Sequence, residues 1–521
     1  MIDLKKIPEE EKSPLVIELL QTIERLNETM RQLMEEIARL KGHKGKPRIP
    51  PSSLEKGPED TPEKPDGKRP GSEKRSKTAD LKIHETIDIP PVSIPPGSKF
   101  EGYVDYVVQG LKISLHNIRY RIECWRDPSG NLIKGKLPDS VNGHFSPELR
   151  GFMLQQNYHC HVTQPLLLEE LRDLRVDISS GEISRILTEN HDAFHGEKDG
   201  ILPAGLEVSG HIHVDDTSAR HAGKNGYCTH IGNDLFAWFE STESKSRINF
   251  LKLLRNVHDD YVINDDALEY MMRQSFPQPL LEKLSMHGAK YFQNENEWIM
   301  HLNHMGITKD RHVRIATEGA LLGSMLHHGF SKELVIVSDD AGQFNVLLHA
   351  LCWIHAERTI HKLVPCSDKE KDAIEDTRKH IWQLYRDLKA YKKAPEMATR
   401  GELERRFDEL FATRTCCEPL NAALRRVANN KGELLLVLER PDVPLHNNES
   451  ERDIREYVKK RKISGSTRSA AGRRCRDTFT SLKKTCRKLG IPFWEYLNDR
   501  VLKTNRIPPL PDLIRASAQA P

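Results

Sequence analysis

The sequence predicts an α/β fold with helical insertions. Two apolar alternating runs, residues 208–216 and 333–340, each end in a pair of acids and read as strands. Residues 226–239 are rich in β-branched and aromatic side chains and read as one or two further strands, and residues 347–353 as another short one. Stretches 244–330, 367–430 and 449–502 carry helical periodicity instead. Strands interrupted by helical blocks in this order suit a sheet with helices packed on it.

At 521 residues the chain has room for two or three domains, and 37% hydrophobic with 30% charged residues permits packed cores under a charged surface. No apolar run reaches the roughly 18 residues of a membrane span. The start, MIDLKKIPEEEKSP, lacks the apolar stretch of a signal peptide. A cytoplasmic location is therefore expected, with no membrane partner. The nine cysteines are scattered without a C-x-x-C pair, which fits reduced thiols. A net charge of +3 gives no global sign of nucleic acid.

Residues 1–41 carry a heptad seam, with Leu19, Ile23, Leu26, Met30, Leu33, Ile37 and Leu40 alternating in steps of four and three. Such a seam needs a partner helix, so a coiled coil and a homo-oligomer are expected; docking on the chain's own body is the alternative. Residues 42–81 are polar, Pro- and Lys-rich, and read as a disordered linker. Residues 82–200 read as a β-rich module over 82–136 and then a helix pair. In that pair an apolar helix over 164–174, a turn, and a second helix opened by Ser179 or Ser180 resemble a helix-turn-helix. That arrangement suits DNA contact, although many helical pairs bind nothing. The α/β core is expected over 201–366, with a helical insertion at 244–330. A second helical insertion follows over 367–444. The core then resumes over 445–502 with basic helices, and 503–521 is a tail.

Phosphodiester cleavage and transfer use two Mg²⁺ ions roughly 4 Å apart, one at the attacking and one at the leaving oxygen. Magnesium prefers carboxylate oxygens, and acids at the ends of neighbouring strands can converge on it. Asp215 and Asp339 end two of the predicted strands. A third acid, Glu451, sits in the first turn of the basic C-terminal helix. Glu451 also fits a capping box with Asn448, in which its carboxylate reaches back to a backbone amide. Asp216 and Asp340 are the competing assignments, because one residue of slip turns a strand side chain to the other face.

These residues carry a family resemblance. His213-Val214-Asp215-Asp216-Thr217 resembles the first motif of IS66 transposases, usually H-x-D-E-T. Ser338-Asp339-Asp340-Ala341-Gly342-Gln343-Phe344 resembles the second, and Cys352-Trp353-Ile354-His355-Ala356-Glu357-Arg358 is similar to the C-W-x-H-A-x-R segment. Asn447-Asn448-x-x-Glu451-Arg452 matches the N-N-x-x-E-R motif, and Gly465-Ser466 with 470–473 resembles the G-S segment after it. The likeness spans about 140–500. It implies an RNase H-like core and a DDE transposase that cuts element ends and joins the 3′-hydroxyl to target DNA. The resemblance makes Asp215, Asp339 and Glu451 the metal-binding acids for two Mg²⁺ (or Mn²⁺) ions. The implied partners are DNA, as terminal inverted repeats and target, and accessory proteins of the element.

Two departures from the pattern stand out. Asp216 replaces the usual Glu, and His446 replaces the acid before N-N. The family commonly has a cysteine-ligated zinc module after its linker, but residues 82–150 hold only Cys124, so no zinc is expected. Cys352 and His355 have the spacing of a metal pair without a second pair nearby, and the resemblance makes them site-shaping. The run from Arg452 to Lys488 is strongly basic. Arg452, Lys459, Lys460, Arg461, Lys462, Arg473 and Arg474 are therefore expected on the DNA backbone. A catalytically inactive DNA-binding descendant of a transposase, or a nuclease without joining activity, are the rival readings.

Overall fold

The structure is a computed structural model that describes residues 81–141 and 143–519. The expected coiled coil over 1–41 lies outside the described residues, as does the linker over 42–81 apart from Leu81. The chain divides into two units at Gly110. In the first, described residues 81–110 form no helix or strand and are largely exposed.

The second unit opens with an antiparallel hairpin, β1 (Cys124–Arg126) and β2 (Leu132–Lys134). Asp127 closes its turn by accepting the Asn131 backbone N–H at 2.7 Å. Among the described residues, the β-rich character expected of 82–136 amounts to this hairpin. Its alternating apolar side chains face no second layer: Trp125 is 66% exposed. An isolated two-stranded hairpin is marginal by itself.

Helix α1 (Pro147–Leu154) follows, then α2 (Gln164–Asp173) and α3 (Ser180–Thr188). Ser179 caps α3, its hydroxyl accepting the Glu182 N–H at 3.2 Å. The helix pair expected from sequence is present, with Leu167, Leu171, Ile183 and Leu187 buried in the main core. Helix α4 (Asp192–Val208) then leads into β3 (His211–Ser218), β4 (Tyr227–Gly232) and β5 (Ala237–Thr242). The strand expected from 208 thus starts at His211, because Val208 still belongs to α4. The first insertion carries α5 (Arg247–Arg255), β6 (Tyr261–Val262), α6 (Asp265–Arg273), α7 (Gln278–Met286), β7 (Tyr291–Phe292), α8 (Glu295–His304) and α9 (Asp310–His327).

After it come β8 (Val335–Ser338), β9 (Leu348–Leu351) and α10 (Trp353–His361). The second insertion is α11 (Asp368–Tyr391), α12 (Met397–Ala412), α13 (Glu418–Asn429) and the short α14 (Lys431–Leu434). It builds its own core around Leu384, Leu388, Leu403, Phe407 and Leu420. The chain ends in α15 (Asn448–Ser464), α16 (Ala470–Lys488), α17 (Phe493–Val501) and α18 (Leu510–Ala518). The last of these corrects the expected tail: Leu510 and Ile514 are fully buried in the main core.

The central sheet has the order β5-β4-β3-β8-β9. β4 runs antiparallel to both β3 and β5, whereas β3–β8 and β8–β9 are parallel. Both faces are covered. Ile212, Val214 and Ile336 enter the main core, and Val335, Val337 and Ala350 pack with Val443. That two-sided burial explains why β8 reads as an unbroken apolar run.

The edge strand β5 is closed by a helix instead of a strand. On α16, Asp477, Ser481 and Thr485 lie four residues apart and so share one face. They accept the N–H groups of Ser241 at 2.9 Å, Phe239 at 2.9 Å and Ala237 at 3.2 Å. An open edge would offer those donors to another chain; here side-chain oxygens satisfy them.

Candidate active site

Asp215 lies on β3, Asp339 follows the last residue of β8, and Glu451 stands in the first turns of α15. β3 and β8 are adjacent parallel neighbours, so both aspartates emerge towards the same end of the sheet. Helix α15 packs back on β3 through Asn447. Asn447 makes three bonds of one frame, two through its side chain and one through its backbone. Its Oδ1 pairs with His213 Nδ1 at 2.9 Å, and its Nδ2 donates to the Val214 carbonyl at 2.8 Å. Its backbone N–H meets Cys352 Sγ at 3.2 Å. Burial pushes the Cys352 thiol up to about 11 and the His213 imidazole down to about 3, so both are neutral partners at pH 7. Cys352 also donates its own N–H to the Ser338 carbonyl at 3.0 Å, beside Asp339. Four of the sequence motifs are thereby joined in one run of hydrogen bonds.

The three acids interact. Burial, and then the charges of Asp339, Asp216 and Glu451, push the Asp215 carboxyl up to about 7 against the hydrogen bond it accepts from Asp216 N–H. His355 stands 3.6 Å from Glu451 Oε1, and Arg358 and Arg455 lie 3.9 and 3.6 Å from the same carboxylate. Burial and Arg358 lower the His355 pKa, opposed by Glu451 and Asp339. His355 thus faces both the second and third acids, while Cys352 holds the frame.

The capping box expected as an alternative for Glu451 does not form. The N-cap is Asn447, which makes no side-chain capping bond because its amide is committed to β3. Glu451 Oε1 is instead buried without a hydrogen-bond partner. The neighbouring acids contrast with this. Asp216 accepts Thr229 Oγ1 at 2.5 Å and Gln343 Nε2 at 3.0 Å. Asp340 accepts Arg426 and, at 3.4 Å, Asn430. The protein itself fills the two competing carboxylates.

The basic segment divides into two groups. Arg452, Lys459 and Lys462 of α15 are exposed, with Arg452 and Lys459 weakly paired to Glu449 and Glu456. Arg473 is half-buried and Arg474 exposed at the start of α16, the latter 3.7 Å from Asp199. Lys460, by contrast, is buried and donates to the Asn157 carbonyl and, at 3.1 Å, to its side chain. Burial, with Arg476 and Lys483 nearby, pulls its pKa down to about 7. Arg461 is tied to the Ser218 carbonyl and to Ser218 Oγ at 2.7 Å. These two are corrections to the expected DNA-facing set: both serve to bind α15 to its surroundings. Lys483, Lys484 and Lys488 also point inward. Lys483 meets Glu456 at 2.6 Å, and Lys484 and Lys488 meet Asp453 at 2.7 and 3.0 Å. Burial works against ionised Asp453, but His230 and these lysines hold its carboxyl well below the usual range.

In the sequence Asn447, His213 and Arg358 are visible only as motif letters. Their role as the frame around the acids was carried by the H-x-D and N-N spacing but needs the fold to be seen.

Comparison with known proteins agrees with this picture. The family model described as Transposase IS66 family matches residues 320–474, a span that holds Asp339, Cys352, His355, Asn447 and Glu451. An uncharacterized protein, y4jO, of Sinorhizobium fredii is 45% identical over 321 residues, covering 61% of this chain and 100% of that protein. The motifs that meet around Asn447 are thus those of a recognised group, and the chain belongs to the IS66 family of transposases.

Proposed function

We propose that this chain is a DDE transposase that cleaves the ends of its element and joins the freed 3′-hydroxyl to target DNA. Family membership implies transposition and DNA as a partner. The observation that carries the finer reading is selective satisfaction of the acids. Asp216 and Asp340 are filled by protein donors, while Glu451 keeps a buried oxygen that accepts no hydrogen bond, beside the interacting Asp215 and Asp339. Like charges gathered in a half-buried place are costly unless something neutralises them.

The donor set fits Mg²⁺ or Mn²⁺, since all three groups offer hard carboxylate oxygens. Two such ions, when held there, would activate the attacking hydroxyl and offset charge on the leaving oxygen. Asp215 and Asp339 would hold or flank both, and Glu451 the second. Asn447 fixes Glu451's helix against β3, and Arg358 and Arg455 orient its carboxylate. The exposed Arg452, Lys459 and Lys462 would meet the DNA backbone. The order β5-β4-β3-β8-β9, in which only β4 runs against the other four strands, supports an RNase H-like core.

Asp339→Ala tests the reading on DNA carrying the element's terminal inverted repeats. Cleavage and strand transfer should vanish while DNA binding persists. Undiminished cutting would remove the metal-site assignment, and cutting by the unaltered chain without a joined product would make it a nuclease only.

A further inference from the structure

A second cluster of metal-ligating side chains lies in the first insertion, apart from the acids. His258, Asp260 and His328 each present a ligand atom, and these atoms lie within 4.8 Å of one another. His328 precedes β8, whereas Asp339 follows it, so the cluster belongs to the opposite end of that strand from the candidate active site. From the convergence of these three donors we infer a binding site for one zinc-class divalent ion.

The scaffold holds the ligands from both sides. Helix α5 ends at Arg255, and Asn256 turns the chain with φ 61° into the loop bearing His258 and Asp260. Arg255 is buried and donates to the Asp260 carbonyl at 2.6 Å, fixing that backbone. On the other side, α9 approaches so closely that a Cβ at Gly323 would collide with the Val262 carbonyl. That approach places the next residue, Ser324, 3.0 Å from Asp260 Oδ1, to which its hydroxyl donates. One turn later His328 Nε2 meets both Asp260 oxygens, at 2.9 and 3.0 Å. Asp260 is thus a buried carboxylate with a hydroxyl donor behind it, the kind of outer partner that orients metal ligands.

The His258 ring lies on the His328 ring, with centroids 3.5 Å apart. Coordination requires the half-buried His258 ring to turn off that stack so that its lone pair joins the others. Zinc sites use N and O ligands at about 2.0–2.2 Å, so three donors already this close need only small side-chain movements. Two imidazoles and one carboxylate suit Zn²⁺, Co²⁺ or Ni²⁺ better than Mg²⁺, which prefers oxygens alone. The fourth position is left to water or to the exposed neighbouring Asp259. An ion here would cross-link the loop after α5 to the end of α9. No thiolate takes part, so the sequence argument against a cysteine zinc module does not reach this site.

The test is Co²⁺ titration of the full-length protein after chelator treatment, with excess Mg²⁺ present to occupy the carboxylates. One equivalent should give visible d–d absorption, and one equivalent of Zn²⁺ should abolish it. His258→Ala leaves the Asp260–His328 pair in place and should lose the absorption while its circular dichroism stays native. His328→Gln should lose it too. Asp215→Asn should keep it, which separates this site from the catalytic reading. Absence of the absorption, or its survival in both histidine variants, would overturn the inference.

Discussion

Replacing Asp215 by Asn removes one charge from the acidic cluster while keeping the side-chain shape and the acceptor for Asp216 N–H. The structure sets the size of the effect. Burial and the charges of Asp339 and Glu451 raise Asp215 from 3.8 to about 7. That rise corresponds to about 4 kcal/mol, at roughly 1.4 kcal/mol for each tenfold change in acidity. Below pH 3.8 the carboxyl is protonated in both folded and unfolded chains and adds no penalty. Between 3.8 and about 7 the unfolded chain loses its proton first, so native stability falls as pH rises. Above that the penalty is complete. Asp215→Asn should therefore match the unaltered protein near pH 4 and exceed it by up to about 4 kcal/mol near pH 8, both in chelator. Urea denaturation followed by tryptophan fluorescence at each pH measures the difference. Adding Mg²⁺ to 100 times its dissociation constant should stabilise the unaltered protein by about 2.7 kcal/mol and the variant by much less. A difference between the two proteins that does not change with pH, or a variant less stable at pH 8, would refute the electrostatic argument.

Asn447→Ala leaves the Val214 carbonyl and His213 Nδ1 buried without their partner. It should cost about 2–4 kcal/mol in urea denaturation and reduce cleavage; a loss below about 1 kcal/mol with cleavage intact would contradict the frame. The exposed and buried lysines of α15 should separate in DNA binding. Lys462→Ala should reduce the slope of log affinity against log salt by about 1, whereas Lys460→Met should leave the slope unchanged. Equal slope changes in the two variants, measured by fluorescence anisotropy, would show that Lys460 reaches DNA after all.

Elements whose pattern follows from burial were readable in the sequence. β8 is apolar throughout because both faces of the sheet are covered, and its terminal acid follows directly. The α2–α3 pair was legible because its apolar spacing and the Ser179 cap are both local signals. The basic run of α15 and α16 misled because charge in a sequence does not say which way a side chain points. Lys460, Lys483 and Lys484 are drawn inward by Asn157, Glu456 and Asp453, whose positions depend on the fold. Asp477, Ser481 and Thr485 form a visible stripe, but only an uncovered edge strand gives it a use. The segment 82–136 alternates like a sheet yet has no layer to pack on among the described residues. Helix α18 is only nine residues long, too short for its two buried anchors to stand out as a pattern.

The distances along the chain explain why the site tolerates its insertions. Asn447 closes hydrogen bonds with partners 234, 233 and 95 residues away. Loop-closure entropy grows only with the logarithm of length, so doubling such a loop costs about 0.6 kcal/mol. Two helical insertions with their own packing therefore add little cost to the meeting of the acids. Each must only return the chain to the same end of the sheet. The β3–β8 pairing does this for the first insertion, and Asn447 with Trp353 N–H bonded to the Leu445 carbonyl at 3.0 Å does it for the second. The geometry of the three carboxylates then depends on a few buried hydrogen bonds near the strand ends. The long helices between them can vary without moving the acids, whereas a change at Asn447 or Cys352 cannot.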